Sequence, residues 1–136
     1  MAEITRETFT AAMEAAVAER GADWTYPEPT PKTPGYAGFQ ADDWHSGNWG
    51  ACVYSTPDGT PACIIGLALH KIDPALVPEW DTVAPATSVL RDAGVTDYLL
   101  RVAARAAQRE QDSGKTWGEA LAVYRHVLQT GEEEEA

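Results

Sequence analysis

A chain of 136 residues with 21 acidic against 10 basic side chains carries a formal charge of −11 and is long enough to bury one core without disulfides or metals. Removing the four glutamates at 132–135 still leaves −7, so the acidity reads as general. A surface of that sign repels nucleic-acid phosphates and anionic lipid, which excludes ordinary nucleic-acid and membrane-surface binding and leaves basic protein surfaces as the expected partners.

The first seven residues are charged where a signal peptide needs an apolar core, and the longest apolar run, 62–69 counting Gly66, is too short to span a bilayer. Two cysteines, Cys52 and Cys63, make no disulfide framework, so reduced thiols and a cytoplasmic setting are expected. Seven arginines against three lysines, with abundant alanine, fit a GC-rich coding sequence.

In chain order, residues 5–20 read as a helix capped by Thr5, with Glu7 in its first turn and Phe9, Met13, Ala16 and Val17 on one face until Gly21. Pro27, Pro29, Pro31 and Pro34 remove backbone donors from 22–38 and exclude a central strand or helix there. The strand-like 51–55 followed by Thr56, Pro57, Asp58 and Gly59 reads as the first half of a β-hairpin over 50–63. The continuous apolar run after Pro61 reads as a buried helix over 63–71 and as the centre of the core.

Asp73 and Pro74 then start a single turn, and 85–92 reads as a short helix with Val89 and Leu90 inward and Gly94 as its stop. Thr96 or Asp97 opens a long helix to about 113, whose narrow inner face is read as Leu99, Val102, Ala103 and Ala106. Its four-residue row of Asp97, Arg101, Arg105 and Arg109 reads as a solvated face with an Asp97 to Arg101 pair, or as a site for a phosphate or acidic partner. Thr116 and Glu119 form a capping box for a last helix over 116–130, with Trp117, Ala120, Leu121, Tyr124, Val127 and Leu128 at three-and-four spacing. The short connection at 114–115 makes the last two helices antiparallel. The expected fold is therefore α+β: a mostly helical single domain over 1–131, one β-hairpin packed on helices, and a frayed acidic tail over 132–136.

The most unusual polar stretch places Asp42, Asp43, Trp44, His45 and Trp49 in one glycine-bearing loop. Aromatics beside acids anchor a partner or a cationic ligand, so these five form the candidate binding site, with tryptophans that cap the core and solvated acids as the plainer alternative. The catalytic alternative is Cys63, placed near a helix N-terminus that favours thiolate, with His45 as its base, because His70 lies two turns along the same helix and is out of reach. A zinc site through Asp43, His45 and Cys52 can be drawn, but His and Cys spacings match no ligand pattern, and no metal or cofactor is expected. Phosphate-loop and nucleophile-elbow motifs are absent from the sequence.

Two segments, Cys-Ile-Ile-Gly-Leu-Ala-Leu at 63–69 and Gln-Asp-Ser-Gly-Lys-Thr-Trp-Gly-Glu-Ala-Leu at 111–121, resemble small uncharacterised proteins of actinobacteria and their phages. The resemblance covers about the C-terminal two-thirds of the chain. It implies a bacterial or phage cytoplasmic setting and carries over no catalytic residue. The expectation for function is a small acidic protein that binds a host or partner protein without catalysis; the alternatives are a cysteine- or metal-dependent enzyme and a DNA-mimic inhibitor.

Overall fold

The computed structural model describes residues 4–25, 54–55, 60–79 and 84–131. Of these, 68% are helical and only 4% lie in bridges. Helix α1 (Arg6–Arg20) is capped by Thr5, whose side chain and that of Thr8 satisfy each other's backbone N–H groups. It buries Phe9, Ala12, Met13, Ala16 and Val17. Burying a side chain as large as Phe or Met stabilises by about 1.5–3 kcal/mol, so this stripe is what holds α1 to the body.

The central helix α2 (Ile64–Ile72) is buried from Ile64 through Leu69, as its unbroken apolar run requires. Asp73 ends it and caps a 3₁₀ turn (Pro74–Leu76) by accepting from Ala75 N. Helix α3 (Ala86–Asp92) turns Ala86, Val89 and Leu90 inward, and the chain leaves it through Gly94 at φ +97°, where an L side chain would be strained. Helices α4 (Tyr98–Asp112) and α5 (Trp117–Thr130) form an antiparallel pair, α3 packs on α4, and α1 lies against α2 and α5 around one hydrophobic core. The Thr116 and Glu119 capping box is present at the start of α5.

The expected β-hairpin, and with it the α+β class, is overturned: no sheet is present among the described residues. What remains of the hairpin is an isolated antiparallel bridge between Ser55 and Pro61, with Ala62 N donating to Tyr54 O at 3.0 Å. Proline has no N–H to extend a ladder. The Tyr54 backbone instead lies on α2, where a Cβ on Gly66 would stand 2.1 Å from the Tyr54 carbonyl oxygen. Ser55 is drawn sideways, its hydroxyl donating to Pro78 O at 2.9 Å.

Two finer expectations also change. The inner face of α4 is Leu100, Ala103, Ala104, Ala106, Ala107, Gln108 and Gln111, while Leu99 and Val102 are only partly buried. Asp97 does not pair with Arg101; it caps α4 by accepting from Leu100 N and binds the Arg6 guanidinium of α1 through both oxygens. That pair holds the Asp97 carboxyl below its ordinary range. The frayed tail expected at 132–136 lies outside the described residues.

Candidate functional site

The expected binding residues Asp42, Asp43, Trp44, His45 and Trp49 all lie outside the described residues, as does Cys52. Cys63 is described, and it corrects the sequence reading. Its sulfur is in a disulfide. Cys63 caps α2 as expected for its position, with Gly66 N donating to Sγ at 3.3 Å, but it is fully buried and carries no thiolate for catalysis. The expectation of a reduced thiol fails at Cys63. No group of three or more metal-ligating side chains occurs among the described residues.

Three helix ends meet instead at a buried polar junction built by α4. Gln111 Oε1 accepts from Ile64 N at 2.8 Å, the first N–H of α2. Gln108 Oε1 accepts from Ala86 N at 2.9 Å, the first N–H of α3, whose N-cap Pro85 has no side chain able to do so. A helix leaves its first N–H groups without intrahelical partners, and both glutamines, one turn apart, supply one each. Gln108 Nε2 donates to the Tyr54 hydroxyl at 2.9 Å, and that hydroxyl donates to Ala84 O. Arg105 adds a bond to Gln108 Oε1 at 2.8 Å.

This junction positions the starts of α2 and α3. Burial pushes the Tyr54 phenol up to about 12, so it remains a protonated donor at neutral pH. Arg105 is lowered by desolvation and by Arg109. At the rim, Asp112 Oδ1 accepts from Gln111 Nε2 at 3.1 Å. Its outer edge is open to water, but the protein packed around the carboxyl pushes it up to about 6, against the opposing effects of Gln111 and Arg105. Sequence reading missed Gln108 and Gln111; the available signal was a glutamine pair three residues apart on the alanine-rich face of a long helix.

A second cluster fixes the start of α5. The Arg20 guanidinium stands 5.3 Å from the Trp24 ring centre and 5.7 Å from that of Trp117, and donates to Pro61 O. The Trp117 and Trp24 rings meet edge to face at 6.3 Å. Trp117 N donates to Trp24 O at 2.8 Å and Gly118 N to Ala22 O at 2.9 Å, so the turn after α1 takes up the first donors of α5. The cation that these rings attract is already supplied from within the chain.

The described residues carry eleven acidic and nine basic side chains. Three acids are matched across helices: Glu14 with Arg125, Glu19 with Lys71, and Asp97 with Arg6. No helix among the described residues is long and apolar enough to cross a membrane. No family model matches this chain, and no curated protein or solved structure matches it.

Proposed function

We propose that the protein is a small acidic binding protein that engages a basic surface of a partner protein without catalysis. The observation that supports this reading is the formal charge of −11, from 21 acidic against 10 basic side chains, to which Asp42, Asp43 and the four glutamates at 132–135 contribute. Unmatched charge steers encounter with an oppositely charged partner, and tryptophans such as Trp44 and Trp49 beside it supply the buried contacts that slow dissociation.

The cysteine enzyme reading loses its nucleophile to the Cys63 disulfide. A DNA mimic needs rows of unmatched acids on a rigid face, and the paired acids of α1 and α4 do not supply one. A bacterial or phage setting remains part of the proposal; a cytoplasmic one conflicts with the disulfide, because such bonds persist mainly in oxidising compartments. Capture from a native-host extract at low salt, followed by identification and by rebinding of the purified partner, tests the reading. A basic protein that rebinds and is released by salt is expected. Recovery of none, or of a partner whose binding ignores salt, contradicts it.

A further inference from the structure

We draw no further inference here: the strongest candidate, the side-chain cluster of Arg20, Trp24 and Trp117 at the start of α5, whose two buried indole Nε1–H groups lie beside a guanidinium without a hydrogen-bond partner of their own, carries nothing because nothing among the described residues shows which acceptor the two groups would share.

Discussion

Gln111 Oε1 accepts the Ile64 N–H at 2.8 Å, so a side chain 47 residues further along the sequence caps the central helix from inside the core. Gln108 does the same for α3 through Ala86. Between them the two glutamines turn α4 into the strut on which α2 and α3 begin, which couples the long-range packing of these helices to two specific hydrogen bonds.

Replacing Gln111 by Leu keeps the volume but leaves the Ile64 N–H buried without an acceptor. A loss of about 1–3 kcal/mol is expected, measured by urea unfolding. Gln108→Leu should cost at least as much, since Ala86 N and the Tyr54 hydroxyl both lose a partner. Stability equal to the wild type in both variants would show that water or a rearranged side chain replaces these bonds.

Gly66→Ala drives a Cβ to within 2.1 Å of the Tyr54 carbonyl oxygen, a backbone atom that cannot swing away. Overpacking of that severity should cost about 3 kcal/mol or more. Gly118→Ala meets Ala22 at 2.9–3.0 Å and should cost less. Denaturant midpoints of the two variants check the order.

Asp112 is held at about 6 in the folded protein, above the ordinary carboxylate value of about 3.9. Between those values the folded state keeps a proton that the unfolded state releases, so this group lowers stability as pH rises through that window. Asp112→Asn keeps the acceptor for Gln111 and removes the charge. It should therefore melt above the wild type at pH 7 and with it at pH 4. Parallel melting curves at every pH would contradict the shift.

Cys63, buried in a disulfide at the N-cap of α2, should resist iodoacetamide in the folded protein and after denaturation until a reductant is added. Reduction should lower stability by about 2–4 kcal/mol, the typical scale for a native disulfide. Rapid labelling of the native protein without reductant would restore the free thiol expected from sequence.

Much of the helical pattern was legible because local chemistry marks it. Thr5, Asp97 and the Thr116 and Glu119 pair announce helix starts, and Gly21 and Gly94 announce exits, which the structure takes at positive φ. What failed was non-local. The strand-like residues at Tyr54 and Ser55 lie on α2 and not in a ladder, because Gly66 opens a place for them and Pro61 cannot extend the pairing. The inner face of α4 was misread because glutamine scores as polar wherever it stands, and only the N-termini of two distant helices explain why Gln108 and Gln111 are inside. Asp97 was paired by its four-residue spacing with Arg101, whereas its partner Arg6 is 91 residues away. The candidate binding residues from Asp42 to Trp49 lie outside the described residues and stand on their sequence chemistry alone.

The central claim is that acidic charge, Asp42 and Asp43 above all, drives partner binding, and the kinetics of variants at these residues with the purified basic partner test it most directly. Asp42→Asn with Asp43→Asn should slow association at low salt and flatten its salt dependence, while Trp44→Ala should act on dissociation and weaken affinity by about 2 kcal/mol or more, roughly thirtyfold. Wild-type association and dissociation in both variants would contradict the claim.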